Sequence, residues 1–213
     1  MEEVLPGVFH WVSVHPRIKA DVSSYWLEET GAVIDPLVPE PEGLEWFADR
    51  TLAPVAVLLS NRHHYREADR FSERFGCAVY CNRLGLHEFS HGEPVQGFDP
   101  GDPLPGGLIA REVGAICQDE TALHAPHERA LVFADGVVRS GPYGQGGPIG
   151  FVPDSLMDDP SATKRGLLAA CAYLLEELDF IHLLLAHGGP VVGRGRELLQ
   201  ELVDTGGRTA FEL

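Results

Sequence analysis

The sequence is poor in basic residues, and this scarcity bears first on the choice of partners. Lys and Arg together number 16 against 32 Asp and Glu, which gives a formal net charge of −16 at pH 7. Such a charge repels phosphate backbones and anionic lipid surfaces, so we expect no nucleic-acid partner and no membrane partner. The acidic excess favours solubility and indicates no particular activity.

Long apolar runs are also missing, and we expect no secretory signal. No run approaches the roughly 18 to 20 apolar residues that cross a bilayer. The chain starts with MEEVLPGVFHW, which is acidic where a secretory signal is basic. A cytoplasmic location is therefore expected.

Cysteine is sparse, with four residues at scattered positions, namely Cys77, Cys81, Cys117 and Cys171. Cys77 and Cys81 share one face of a predicted strand, where that spacing separates their Cα atoms by about 13 Å. A local disulfide is excluded at this distance, and two sulfurs without a second pair are a weak zinc signal. Buried free thiols are the favoured interpretation for all four.

The order of apolar runs and turn residues predicts a mixed α/β protein, and 213 residues with 44% hydrophobic composition suit a single domain over 1–213. Strands are predicted at 4–14, 22–28, 32–35, 55–59, 77–81, 95–98, 108–113, 121–125, 130–134 and 180–186. Helices are predicted at 41–50, in a segment ending near Phe75, at 160–178 and at 194–204. The loop 140–153 is rich in Gly and Pro, which suits a lid or an ordered surface loop.

The stretch 58–71, LLSNRHHYREADRF, concentrates potential ligands and donors in one turn. It follows the apolar strand 55–59 and precedes the segment with helical spacing. Strand, polar turn and helix is the arrangement in which α/β proteins place binding and catalytic residues. We therefore interpret the turn as functional rather than as a solvated loop.

Two further polar residues follow predicted strands, as His63 follows strand 55–59. Asp135 follows strand 130–134, and His187 follows strand 180–186. If these strands run with similar polarity, the three side chains emerge at one sheet edge, as metal ligands or catalytic groups must. Asp35, at the end of strand 32–35, is a candidate to join them. Each residue alone is also compatible with a capping or half-buried structural role.

At this point the sequence resembles the metallo-β-lactamase-like hydrolase superfamily over most of its length. The resemblance rests on the order of VLPGVFHWVSV, Ile34-Asp35-Pro36, a strand entering the turn at Ser60, Ala134-Asp135 and Ala186-His187-Gly188. It implies a four-layer αβ/βα sandwich, two mixed β-sheets flanked by helices. Active members hold one or two metals, usually zinc, at the sheet edge and hydrolyse esters, thioesters, lactams or phosphoesters.

The superfamily's first motif, Thr-His-x-His-x-Asp-His, is incomplete in this chain. The same register reads Ser60-Asn61-Arg62-His63-His64-Tyr65-Arg66, so that only one motif histidine remains, as His63. The middle histidine falls near Ala115 or Ile116 and is absent, while His124 and His127 lie nearby in a strand and a turn. The resemblance assigns the bridging aspartate to Asp135 and the final histidine to His187.

The residues present leave two functional hypotheses open. Tyr65 and Arg66 are poor replacements for Asp and His ligands, and a permanent guanidinium charge opposes a second metal. The first hypothesis is a non-catalytic or weakly active binder of a small, anionic molecule, with Asn61, His64, Tyr65 and Arg66 contacting it. Arg66 would then lie close to Asp135 and neutralise it.

The second hypothesis is a metal-dependent hydrolase of an ester, thioester or related bond with a reduced, mononuclear site. His63, Asp135 and His187 would act as catalytic residues and, if a metal is retained, as its ligands, with Asn61 or His64 assisting. The expected cofactor is accordingly none or a single metal ion, with zinc favoured. A structural role in a homodimer, with 140–150 at the interface, is a third option.

Overall fold

The computed structural model describes residues 1–140 and 147–210. Its first sheet has seven strands in sequential order. The first four pair antiparallel, and pairing is parallel from β4 to β7. The strands are β1 Glu2–Leu5, β2 Val8–Val14, β3 Asp21–Leu27, β4 Ala32–Ile34, β5 Ala56–Leu58, β6 Ala78–Asn82 and β7 Val95–Phe98.

The second sheet has four strands, and a short ribbon adds two more. The strands of the second half are β8 Ile109–Glu112, β9 Thr121–Ala125, β10 Ala130–Phe133, β11 Val138–Arg139, β12 Ile149–Gly150 and β13 His182–Leu185. The sheet order is β13-β10-β9-β8, and β11 pairs with β12. β10 and β13 are parallel, whereas β9 is antiparallel to both β8 and β10. The apolar strand β10 is therefore central, as its sequence predicts.

Three apolar clusters lie between four layers of secondary structure. The helices are α1 Glu45–Ala48, α2 Ala68–Phe75, α3 Pro160–Glu177 and α4 Gly195–Asp204. One cluster joins the facing sides of the two sheets and includes Leu58 and Val132. A second packs α1 and α2 on the outer face of the first sheet, and a third packs α3 and α4 on the second. The predicted four-layer αβ/βα sandwich is confirmed.

Backbone hydrogen bonds cross between the sheets at one edge. The Ser23 amide donates to the Ala186 carbonyl at 2.8 Å, and the Thr121 amide donates to the Ser60 carbonyl at 2.9 Å. In addition, the Tyr25 hydroxyl donates to the Leu185 carbonyl at 2.8 Å. These bonds connect the carboxyl ends of β5 and β13 to the opposite sheet, so this edge is held together by main-chain contacts.

The predicted elements agree with the structure in order and differ in extent. The stretch 4–14 divides into β1 and β2, because Gly7 adopts a left-handed φ of 71° and turns the chain. The predicted helix 41–50 is limited to α1. By contrast, α3 nearly matches its predicted range, with Asp159 capping the Ala162 amide and proline following the cap. Of the loop 140–153, residues 141–146 lie outside the described part of the chain.

The described residues also bear on the predicted thiols and on membrane crossing. All four cysteines are free, and Cys117 is half-buried whereas Cys77, Cys81 and Cys171 are buried. The expectation of a buried thiol is therefore wrong for Cys117, which lies in a loop before β9. Among residues 1–140 and 147–210, no helix has the length and apolar character needed to cross a bilayer.

Candidate functional site

Three side chains from both sheets converge at the edge where the parallel strands end. The ligand atoms of His64, Asp135 and His187 all lie within 4.8 Å of one another. His64 Nε2 is 3.5 Å from Asp135 Oδ1, and His187 Nε2 is 3.1 Å from the same oxygen. They line a cleft of about 110 Å³ that opens to solvent. The predicted meeting of strand ends therefore brings Asp135 and His187 together.

The histidine of the turn that joins this group is His64 rather than His63. Residues Arg62–His64 form one turn of 3-10 helix, in which consecutive side chains point about 120° apart. The Asn61 side chain caps this turn by accepting the His63 amide at 2.9 Å. His64 is consequently 5% exposed and faces Asp135, whereas His63 is exposed at the mouth of the cleft. The family resemblance pointed to His63 at this position, whereas the described cluster contains His64.

Asp35 fixes the orientation of His64 from the buried side. Its Oδ2 lies 2.9 Å from His64 Nδ1, and its Oδ1 accepts the Ser60 amide at 2.8 Å. The Ser60 hydroxyl also bonds to Oδ2. Asp35 reaches this position with a left-handed φ of 49°, which an aspartate tolerates better than most residues. Asp35 therefore belongs to the site as the residue that orients His64.

Burial and charge oppose each other in setting the pKa of His64. Burial is the largest single influence and lowers the pKa, as does the charge of Arg66, but the carboxylates of Asp35 and Asp135 together outweigh both. The result is a pKa raised to about 9. In the metal-free protein at neutral pH, His64 is thus an imidazolium between two carboxylates.

Asn61 and Glu120 surround the other side of Asp135. The Asn61 side-chain amide donates to Asp135 Oδ2 at 2.8 Å and to Glu120 Oε2 at 3.2 Å. Burial and the nearby Asp135 charge raise the pKa of Glu120 to about 8, and its Oε1 accepts the Gly136 amide at 2.7 Å. Burial would also raise the pKa of Asp135, but His64 and His187 hold it well below its usual range. Asp135 is thus the charged member of this carboxyl pair at neutral pH.

The main chain next to His187 is tightly packed. The Arg139 amide of β11 donates to the His187 carbonyl at 3.0 Å. Gly188 follows with a φ of 89°, and a Cβ at this position would lie 2.0 Å from the Arg139 carbonyl oxygen. Only glycine fits there without a shift of the chain that carries His187.

Tyr65 and Arg66 lie beside the cluster. The Arg66 Nη1 atom donates to the carbonyls of Ser23 at 2.7 Å and Asp35 at 2.5 Å, so the side chain joins the ends of β3 and β4. Tyr65 is half-buried, with its ring 5.4 Å from that of Phe89. Arg66 consequently contributes a fixed positive charge near His64 and supports the strand that carries Asp35.

The donors present fit a single metal ion. Two imidazole nitrogens and one carboxylate form a set that binds zinc or non-haem iron with open positions. Separations of 3.1 and 3.5 Å from Asp135 Oδ1 match two ligands that each lie about 2.0 to 2.2 Å from one ion. A carboxylate behind a histidine, as Asp35 lies behind His64, is a common support of metal-binding imidazoles.

The sequence missed several residues that support the site. Glu120 and Asp119 lie in the loop before β9, and no periodicity marks such positions. Asp119 is fully buried, accepts the Arg62 amide at 2.7 Å and pairs with its guanidinium. His124, in contrast, lies on β9 with Nε2 3.2 Å from the Asp179 carbonyl, beside the strand start of β10 rather than its end. Of the supporting residues, only Asp35 was indicated by the sequence, because it is an acidic residue at the end of a predicted strand.

The comparisons with known proteins bear on the fold. No family model and no curated protein matches the sequence. Among solved structures, DIM-1 metallo-β-lactamase is similar with a TM-score of 0.70, 15% identity and 96% of each chain covered. The metallo-β-lactamase family protein TTHA1429 from Thermus thermophilus has a TM-score of 0.64 and 18% identity, covering 95% of this chain and 80% of that one.

A third similar structure is that of TTHA1623 in a di-iron-bound form. Its TM-score is 0.59 at 19% identity, with 87% of this chain and 98% of that chain covered. Identities this low carry the architecture and no activity. The predicted resemblance is confirmed at the level of architecture: this chain has the fold of the metallo-β-lactamase superfamily.

Proposed function

We propose that this protein is a metal-dependent hydrolase of an ester, thioester or related bond, with a mononuclear site formed by His64, Asp135 and His187. The observation that carries this proposal is the convergence of three donor atoms within 4.8 Å, with the buried Asp35 orienting one of them. A buried carboxylate behind a histidine is a common support of metal-binding imidazoles.

The chain's own residues prepare the site for an ion. Asp35 keeps the His64 proton on Nδ1, so that Nε2 is directed at Asp135 once His64 is neutral. Asn61 engages Asp135 Oδ2 and leaves Oδ1 towards the two imidazoles. A divalent ion bound there would supply Lewis-acid polarisation of the scissile carbonyl and lower the pKa of water.

The surroundings support one ion rather than two. The amide of Asn61 uses Asp135 Oδ2, the oxygen that a second ion would need, and also binds Glu120. The guanidinium of Arg66 supplies a permanent positive charge beside the cluster. His63, the other imidazole of the turn, points to the mouth of the cleft. These features oppose a second cation on electrostatic and steric grounds.

A second candidate is a metal-free protein that binds a small anion. The observation that favours it is the charge balance of the cluster, since protonated His64 lies between Asp35 and Asp135 and satisfies both carboxylates. Such a network is stable without an ion. His187 and Arg66 would then face the ligand as donors.

Metal analysis separates the two candidates. Protein purified without chelator, or dialysed against zinc, iron(II) or manganese(II), is measured for bound metal by mass spectrometry and for affinity by titration calorimetry. We expect one ion per chain in the wild type, and loss of binding in His64→Ala and His187→Ala. His63→Ala is the matched control, because it removes the neighbouring imidazole and leaves the cluster complete.

The control also tests which histidine is used. Equal loss of metal in His63→Ala and His64→Ala would show that the whole turn, rather than the cluster, determines binding. A wild-type protein that takes up no ion at neutral pH contradicts the hydrolase proposal and favours the anion binder. Circular dichroism of each variant distinguishes loss of a ligand from loss of fold.

A further inference from the structure

A larger recess adjoins the cleft that is lined by His64, Asp135 and His187. It has a volume of about 350 Å³ and shares His15, Arg17, His63 and Arg66 with the cleft. The recess and the cleft therefore lie side by side on a common set of side chains. The recess is the natural place for the part of a substrate that does not react.

The recess gathers three arginines in a protein that is otherwise acidic. Arg17, Arg62 and Arg66 line it, opposed by Glu88 and Glu93. The field is visible in the lowered pKa of His15, where burial acts first and the charges of Arg66 and Arg17 act next. Three arginines in one recess of a chain with a net charge of −16 make a local exception to its overall charge.

Two of these cations are presented by ordered main chain. Arg62 is held by Asp119, which accepts both its amide and its guanidinium, so its side chain is fixed before any ligand arrives. Arg17 lies at the tip of the turn between β2 and β3, where His15 Nδ1 accepts the amides of Arg17 and Ile18 at 3.2 and 3.4 Å. The Arg17 side chain is exposed and its turn is fixed.

An aromatic wall limits the recess on one side. The rings of Tyr65 and Phe89 lie 5.4 Å apart and are half-buried. This wall provides an apolar surface next to the arginines. The pairing of flat apolar surface and cations suits a small organic anion better than a free inorganic ion.

We propose that this recess binds an anionic group, a carboxylate or phosphate, on the non-reacting part of the substrate, with Arg17 and Arg62 as its partners. This inference rests on the proposed function, because it takes the anion to be part of the hydrolase's substrate. The binding of the anion itself requires no metal. Arg62 provides the fixed contact, and Arg17 provides the contact from the hairpin. The substrate class is thereby narrowed to esters or thioesters that carry a negative charge away from the scissile bond.

The test uses metal-free full-length protein and two simple anions. Succinate and inorganic phosphate are titrated calorimetrically into the wild type, Arg17→Gln and Arg165→Gln, with neutral succinamide as the uncharged control. Arg165 is the matched control because it is an exposed arginine on α3, the helix outside the other sheet. Arg17→Gln alters an exposed tip and leaves the Arg62–Asp119 pair, so folding is preserved.

We expect at least one anion to bind the wild type, with affinity reduced roughly tenfold in Arg17→Gln and unchanged in Arg165→Gln, as for one charge-assisted hydrogen bond. If only succinate binds, the recess is assigned to a carboxylate; if only phosphate binds, it is assigned to a phosphate. Equal binding by wild type and Arg17→Gln, or binding of succinamide as tight as succinate, overturns the proposal. Metal stoichiometry measured on the same Arg17→Gln protein reports separately on the proposed function.

Discussion

Replacing Asp35 with Asn removes the buried negative charge that keeps a proton on His64 while nearly preserving the shape of the side chain. The Asn oxygen can still accept the Ser60 amide, as Asp35 Oδ1 does at 2.8 Å. Its NH2 group then faces His64 Nδ1 and must donate to it. His64 is thereby forced into the tautomer that carries its proton on Nε2, the atom that faces Asp135.

The size of the effect follows from the pKa of His64, which is raised from 6.5 to about 9 in the folded protein. A group whose folded pKa is raised stabilises the fold below its unfolded pKa, and the contribution is lost as pH rises through the folded value. The stabilisation by protonated His64 that is lost between pH 6.5 and 9.5 is about 3 kcal/mol. For a chain of this size it corresponds to a fall of roughly 6 to 12 °C in Tm.

The assay is urea denaturation of metal-free wild type and Asp35→Asn at several pH values between 6.5 and 9.5. We expect the stability difference between the two proteins to be largest at pH 6.5 and to shrink as pH rises. Glu120, whose pKa is raised to about 8, makes both proteins less stable as pH rises towards 8, so the two proteins are compared at each pH. Asp99→Asn, at an exposed pair with Arg83, is the control and should cost little.

NMR titration of the His64 ring gives an independent measurement. The wild type should titrate near pH 9 and the variant at a clearly lower pH, because of the two carboxylates only Asp135 then opposes the effect of burial. A His64 pKa that stays near 9 in Asp35→Asn would refute the assignment of Asp35 as its partner. An undiminished stability difference at pH 9.5 would refute the linkage between this pair and folding.

Three further predictions concern the same site. Metal affinity of the wild type, measured by competition with a chromogenic chelator, should rise up to about tenfold per pH unit below pH 9, because binding displaces the His64 proton; a flat profile would contradict this. Asn61→Ala should lower the free energy of unfolding by about 1 to 3 kcal/mol in urea, since Asp135 and Glu120 lose a shared donor, and an unchanged midpoint would exclude that role. Gly188→Ala should destabilise the fold by at least about 2 kcal/mol more than Gly193→Ala, as both glycines have positive φ but only the former meets the main chain; equal melting temperatures would show that the chain around His187 yields.

The architecture is predictable from the sequence because long-range order follows from local signals. The apolar runs at 130–134 and 180–186 read as buried strands, and the polar residues that end them fall at one edge once the strands are parallel. That edge brings Asp135 and His187 to 3.1 Å. Periodicity and strand polarity suffice for this part of the site.

The choice between His63 and His64 is not predictable in the same way. It depends on the phase of a single 3-10 turn, which the Asn61 cap sets by binding the His63 amide. A shift of one residue rotates the side chain by about 120° and exchanges the buried histidine of the cluster for an exposed one. The partners of Asn61 and Arg62 cannot be predicted from the sequence either, because Glu120 and Asp119 come from a distant loop that has no periodic pattern.

The hydrogen bonds that cross between the sheets have a consequence for how the protein matures. His64 is carried by one sheet, and Asp135 and His187 by the other, so neither half of the chain owns a complete set of donors. The bonds from Ser23 to Ala186 and from Thr121 to Ser60 form only when the sheets dock. A nascent or partly folded chain therefore offers scattered side chains, and an ion at the proposed site could be taken up only after the sheets have docked. Such an ion would link the two halves of the chain and slow their separation.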